Sequence, residues 1–401
     1  KDSVATSDGE ISVVNNPFSN PPIEIVQQGN EAILSYFSSF KGIREEEKVF
    51  ITEIKILLVG EGMAGKTSLL KQIKGLEFKK EESQTHGIII EKLLFETLPL
   101  FKTYRQLAGV TGRFWDFGGQ EIMHASHQFF LSSRSVYMLV LDSRTDAKKE
   151  EWLKHIEKFG GKSPTIVAIN KIDENRNYDV ERRTLNEKFP FVGNRFHKIS
   201  CFKKVGLDGL AKELADLIPE TEIFKTKFSP TWAAVKEQLE LETAASNYID
   251  QQRFEAICAE NQVQDKAQQK TLLNYLDDLG IALHFESLGL KNFYVLDPHW
   301  VTIGVYKIIN SPSIEGGIFE ESMLEHILNV EQVKIMEYDP AKEKAVVYSD
   351  SEQQYLVKIM QQFELLFEYA KGKYLVPDLL PKEPTMDYTF DESGTEHIRF
   401  V

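Results

Sequence analysis

The sequence predicts an α/β domain built on a mainly parallel sheet, followed by a unit of α+β texture. Three observations carry this reading. Across residues 51–218 short apolar runs (IKILLVG, RFWDFG, SVYMLVLD, TIVAIN, RFHKIS) alternate with helical patterns such as EEWLKHIEKFG and DGLAKELADLI. Strands interleaved with helices in this way build parallel sheets. After Pro219 the alternation stops, and helical patterns come first with short strand-like runs behind them. Finally, residues 59–70 (VGEGMAGKTSLL) set a glycine-rich turn between an apolar strand and a helix. Ligands of such sheets bind at the carboxyl ends of the strands.

A chain of 401 residues is long enough for two or three domains, each with its own core. The formal net charge of −14 argues against unassisted binding to nucleic acid or to an anionic membrane, since both need local positive charge. No apolar run approaches the length of a membrane span, and the first residues (KDSVATSDGE) are polar. Cys201 and Cys258 stand far apart without metal-ligand spacing, so a reducing, cytoplasmic setting is expected.

In chain order, residues 1–48 read as a linker that contains the turn-rich NNPFSNPP. A short helix is expected in EIVQQGNEAILSYF, with Ile33, Leu34 and Phe37 at near-helical spacing. Residues 49–218 form the α/β domain. Residues 219–401 form the second domain, with helical patterns at 232–242, 249–260 and 266–279 and two strand-like runs, IALHF and FYVLD. Helices before a two-stranded wing resemble a winged helix. Yet 16 Lys and Arg stand against 31 Asp and Glu from Pro219 onward, so a packing and interaction module fits better than DNA binding.

The motifs follow the strands. A phosphate cradle needs successive backbone N–H groups at a helix start, which Glu61, Gly62, Ala64, Gly65, Lys66, Thr67 and Ser68 would supply, with Gly60 and Gly65 permitting the turn. Lys66 would reach the β and γ phosphates, and Thr67 would offer its hydroxyl to Mg²⁺. After TIVAI comes Asn170-Lys171-Ile172-Asp173. There Asp173 can accept from guanine N1–H and its 2-amino group, where adenine offers no matching pair. Asn170 would tie this loop to the phosphate loop, and the Lys171 stem would lie along the base. After RFW comes Asp116-Phe117-Gly118-Gly119-Gln120-Glu121: Asp116 fits a water-mediated hold on Mg²⁺, the Gly119 N–H a γ-phosphate donor, and Gln120 the residue that orients the attacking water. Thr85 is the candidate for a second Mg²⁺ hydroxyl, ordered when the γ-phosphate is present. Ser200 and Cys201 would offer backbone N–H groups to guanine O6. His124 and His127 lack a third ligand and read as shaping residues rather than a metal site. Arg134 reads as a surface arginine, with an arginine finger as the alternative.

These motifs in this order (GEGMAGKT, Thr85, DFGGQE, NKID, Ser200-Cys201) resemble a Ras-like small GTPase domain. WDFGGQEIMHASHQFFLSSRSVYMLVLDSRTD, the LDPHWVTIGVYKIIN region and YLVPDLLP look like the Roc–COR tandem of Roco proteins, prokaryotic ones in particular. The resemblance implies a Ras-of-complex GTPase domain with a P-loop over 49–218 and the winged-helix-like half of a C-terminal-of-Roc domain over 219–401. It makes 1–48 the exit from leucine-rich repeats, and so implies a fragment. It also implies GTP and GDP as ligands, Mg²⁺ as cofactor, slow GTP hydrolysis that rests on Lys66 and Gln120, and a homodimer in the full-length protein. The alternative is a nucleotide-sensing scaffold or dimerisation module with negligible turnover, and an ATPase is a third reading.

Overall fold

The structure, a computed structural model, describes residues 20–22, 25–26, 28–78, 88–117, 130–132, 134–145, 148–221, 226–284, 293–331 and 347–380. Helix α1 (Asn30–Ser38) precedes a six-stranded sheet of β1 (Glu53–Val59), β2 (Ile88–Leu94), β3 (Thr111–Phe117), β4 (Ser135–Asp142), β5 (Thr165–Asn170) and β6 (Phe196–Lys198). The strand order is β2-β3-β1-β4-β5-β6, and every neighbouring pair is parallel except β2 and β3. Helices α2 (Lys66–Ile73), α3 (Lys149–Gly160), α4 (Arg182–Lys188) and α5 (Leu207–Leu217) accompany it.

Central parallel strands are covered on both faces and therefore read as continuous apolar runs. All of β4 is buried. Alternate residues serve opposite faces: Ile56, Leu58, Val136 and Met138 pack with Leu69 and Leu214, while Leu57, Val59, Leu139 and Leu141 pack with Trp152 and Ile156. Each such side chain contributes roughly 1.5–3 kcal/mol on burial.

The second half begins with α6 (Pro230–Glu242), α7 (Gln251–Glu260) and α8 (Lys266–Asp278). Ser229, Asp250 and Asp265 cap them by accepting the backbone N–H of Trp232, Arg253 and Gln268. The small antiparallel sheet here has three strands, not two: β7 (Tyr248–Asp250), β8 (Leu283–His284) and β9 (Phe293–Val295), in the order β8-β9-β7. Residues 249 and 250, expected at the start of a helix, are strand. Tyr248 stacks on Phe293 with centroids 3.9 Å apart, and the Asp250 cap delays the helix to Gln251. Beyond lie α9 (Pro298–Ile309), β10 (Ile318–Glu320), α10 (Asp350–Gln362), β11 (Phe367–Ala370) and β12 (Lys373–Leu375), with the last three strands in the order β10-β12-β11.

The two apolar cores of the large sheet run on into this second half. One continues through Trp232, Leu272, Tyr275 and Leu276, the other through Trp300, Val301 and Tyr348. Helix α1 packs on α8, and it buries Ala32, Ser35 and Tyr36. Leu34 and Phe37, part of the expected apolar stripe, are exposed instead, because the Tyr36 hydroxyl reaches Lys227 O at 3.2 Å and its ring meets Trp232 edge-on. Among the described residues no helix is long and apolar enough to cross a membrane.

Candidate functional site

The site assembles where β1, β3, β4 and β5 end. After Val59 the chain turns at Gly60, whose φ of 137° puts a notional Cβ 2.2 Å from Val140 O, so the backbone itself excludes a side chain. Gly65 (φ 97°) caps α2, and its notional Cβ would lie 2.3 Å from Asn170 Nδ2. Between them the loop bends back on itself, with Ala64 N–H donating to Glu61 O at 3.3 Å. Lys66 folds over the loop and donates to Gly60 O and Glu61 O, each at 2.8 Å. Burial draws its ammonium down to about 8, while Asp116 and Glu61 act to keep it charged. Next in α2, Thr67 donates its hydroxyl to Asp116 Oδ2 at 2.6 Å. Asp116 is fully buried near the end of β3, paired with Leu58 of β1 and Ile89 of β2.

Asn170, the last residue of β5, joins two loops. Its Nδ2 donates to Ala64 O at 3.0 Å, and its Oδ1 accepts the Cys201 N–H at 3.1 Å. Lys171 follows with φ 62° and donates to Met63 O at 2.6 Å. Asp173 accepts from the Ser200 hydroxyl, and Ser200 Oγ in turn accepts the Lys203 N–H at 2.9 Å. Burial pushes the Cys201 thiol up to about 12, so its backbone rather than its sulfur is the available chemistry.

The structure thus brings together Glu61, Gly62, Ala64, Gly65, Lys66, Thr67, Ser68 and Asp116 on one side, and Asn170, Lys171, Asp173, Ser200 and Cys201 on the other. Thr85, Gly119, Gln120, His124 and His127 lie outside the described residues. Arg134 is a correction to both of its readings. It is buried, its guanidinium lies 4.2 Å from the Tyr275 ring centroid, and its Nη1 donates to the Tyr275 hydroxyl of α8. That makes it a bridge between the two halves of the chain rather than a surface residue or a finger.

Other residues join the site without a motif to announce them. Trp152 of α3 donates its indole N–H to Glu61 Oε1 at 3.1 Å and so fixes the phosphate loop from the side. The rings of Phe78 and Phe202 stand 5.4 Å apart beside the Ser200-Cys201 turn. Asp142 closes β4 and holds Lys171. On the flank toward the second half, the buried Lys55 donates to Phe130 O at 2.6 Å and sits 4.4 Å over Trp115, the neighbour of Asp116. Burial draws Lys55 down to about 7, against the pull of Asp277 and Asp278. His299 of α9 places Nδ1 2.9 Å from Ile88 O, at the start of β2. Ile88 and Phe130, which follow the Thr85 and Gln120 segments in the chain, therefore touch the second half or a lysine facing it.

Two family models match the chain: "Ras of Complex, Roc, domain of DAPkinase" over residues 55–173, and "C-terminal of Roc, COR-A domain" over residues 229–380. Among curated relatives, the probable serine/threonine-protein kinase pats1 of Dictyostelium discoideum is 25% identical over 92% of this chain and 12% of its own length. A Roc-COR-CHAT protease of Runella zeae is 27% identical over 88% of this chain and 38% of its own. The chain therefore spans well under half of these relatives. A solved structure, Methanosarcina barkeri Roco2 RocCORdC bound to GDP, is 42% identical with a TM-score of 0.72, covering 85% of this chain and all of that one. With a Roc and a COR-A match in tandem on one fold, this chain belongs to the Roco family of Roc–COR proteins.

Proposed function

We propose that the chain is a guanine-nucleotide switch that binds GTP and GDP with Mg²⁺ and hydrolyses GTP slowly, its nucleotide state being read by the COR half. The observation that carries this is Asn170, whose amide joins the phosphate loop to the Ser200-Cys201 turn and leaves Asp173 beside it as a carboxylate acceptor. The exposed Asp173 carboxylate can accept from guanine N1–H and its 2-amino group, and adenine offers neither donor, so guanine gains two charge-assisted hydrogen bonds, on the order of a hundred-fold in affinity. The Methanosarcina barkeri Roco2 structure, bound to GDP, agrees with this reading. The division that goes with it is a nucleotide-binding domain over 49–218 and a COR domain over 219–401, with 1–48 leading in.

The residues then have distinct tasks. The N–H groups from Glu61 to Ser68 and the Lys66 ammonium neutralise phosphate charge. Thr67 and Asp116 present hard oxygen donors within 2.6 Å of each other, which suits Mg²⁺, an ion that takes few protein ligands and keeps its waters. That ion would supply charge neutralisation at the β and γ phosphates. Gln120 and the Gly119 N–H would orient water and the γ-phosphate, and Thr85 would close on the site. A homodimer of the full-length protein and a cytoplasmic setting belong to the same reading.

Single-turnover phosphate release from wild type, Gln120→Ala and Lys66→Ala tests it: wild type should release phosphate faster than both. No excess over the variants would leave a nucleotide-sensing scaffold. One observation favours that second reading: the burial of Arg134 against Tyr275 removes a candidate for stabilising transition-state charge.

A further inference from the structure

Asp142 belongs to none of the sequence motifs, yet its carboxylate lies where three parts of the site meet. It is the last residue of β4, in register with Asn170 at the end of β5. Lys171 Nζ donates to Asp142 Oδ2 at 2.8 Å while also holding Met63 O of the phosphate loop at 2.6 Å. Arg144 grips both carboxylate oxygens, Nε to Oδ1 at 3.0 Å and Nη2 to Oδ2 at 2.8 Å, and extends Nη1 to Glu174 Oε2 at 3.2 Å. The series Met63, Lys171, Asp142, Arg144 and Glu174 thus links the phosphate loop to both ends of the NKIDE segment.

Burial works against the Asp142 charge, but Arg144 and Lys171 outweigh it and hold the carboxyl down at about 2, so the anion persists through the neutral range. Exposed ion pairs contribute little, but the side chains of Lys171 and Asp142 are only 20% and 7% exposed. A lysine stem has four carbons of freedom, and two fixed acceptors remove most of it. The Lys171 backbone, in the left-handed region, also needs neighbours that hold it there.

We propose that Asp142, and Arg144 acting through it, form a positioning clasp that holds Lys171 and the guanine loop against the phosphate loop and so sets how long a guanine nucleotide stays bound. This rests on the guanine-nucleotide reading above. The test follows release of a fluorescent N-methylanthraniloyl-GDP, chased with excess GDP, from wild type, Asp142→Asn, Asp142→Ala, Arg144→Ala and the double alanine variant. Asp142→Ala should release it about ten-fold faster or more, the size of a lost partly buried charged hydrogen bond. Arg144→Ala should act by about three-fold, since that guanidinium is two-fifths exposed. Asp142→Asn, which keeps the shape and an acceptor, should fall between. The double variant should match Asp142→Ala, because Arg144 acts through that carboxylate. The preference for the guanosine over the inosine analogue should shrink in Asp142→Ala, a readout that a general loss of stability would not move.

Release from both Asp142 variants at the wild-type rate would overturn the clasp. So would additive single effects, or faster release from Asp142→Ala with an unchanged preference for guanosine. A wild type that releases N-methylanthraniloyl-ADP no faster than N-methylanthraniloyl-GDP would overturn the guanine reading itself, and that pair of wild-type traces distinguishes the outcome.

Discussion

At Gly65 a single methyl group decides whether the site can form. The notional Cβ lies 2.3 Å from Asn170 Nδ2, so Gly65→Ala must displace the side chain that joins the two loops. Titration should show GDP affinity lowered on the order of ten-fold or more, about 1.4 kcal/mol per decade, and an unchanged affinity would contradict the bridge assigned to Asn170. Lys66 gives a pH signature. Burial leaves its ammonium at about 8 in the free protein, and phosphates favour the charged form, so bound nucleotide raises that value. Below pH 8 the lysine is already charged and its contribution to affinity is flat. Above it, binding must take up a proton, and affinity should fall by at most about ten-fold per pH unit. Lys66→Arg, charged throughout, should flatten that limb of the profile. The motifs around these residues were legible because each is a short run at a strand end whose spacing dictates its own backbone. Asp142 was not, because its role comes from register across β4 and β5 and from a lysine 29 residues away.

Between elements, the contact of β4 with α8 is the one that sequence reasoning misjudged most clearly. Arg134 precedes β4 directly, and only a partner 141 residues further on, Tyr275, makes it a core residue. Nothing in the local pattern SSRSVY reveals that partner. Tyr275→Phe keeps the ring under the guanidinium but removes the hydroxyl acceptor, and should cost about 1–3 kcal/mol, read as a lowered thermal midpoint with GDP affinity unchanged. A midpoint equal to wild type would show that the hydroxyl carries no part of this contact. The strand Tyr248–Asp250 was missed for the same reason, since its partner Phe293–Val295 is far along the chain and three residues are too few for an alternating pattern. The long elements were legible throughout: the strands of the large sheet as apolar runs, α3 and α5 as amphipathic patterns ended by glycine or proline.

For the molecule as a whole, the two halves share both apolar cores and a set of buried polar contacts close to the nucleotide loops. Lys55 donates to Phe130 O, and His299 meets Ile88, so the described residues that flank the Thr85 and Gln120 segments touch the second half or a lysine facing it. If nucleotide state is coupled to assembly, mass measured in solution should differ between GDP and a non-hydrolysable GTP analogue for the full-length protein, and equal masses would remove nucleotide-linked assembly from the reading. The central claim is narrower, that this fold holds guanine nucleotides through Asp173. Its most direct test is calorimetric titration of the wild-type chain in Mg²⁺ with GDP and, in parallel, with ADP. GDP should bind on the order of a hundred-fold tighter, the discrimination expected of two hydrogen bonds to a carboxylate that adenine cannot make. ADP binding as tightly as GDP, or more tightly, would contradict it.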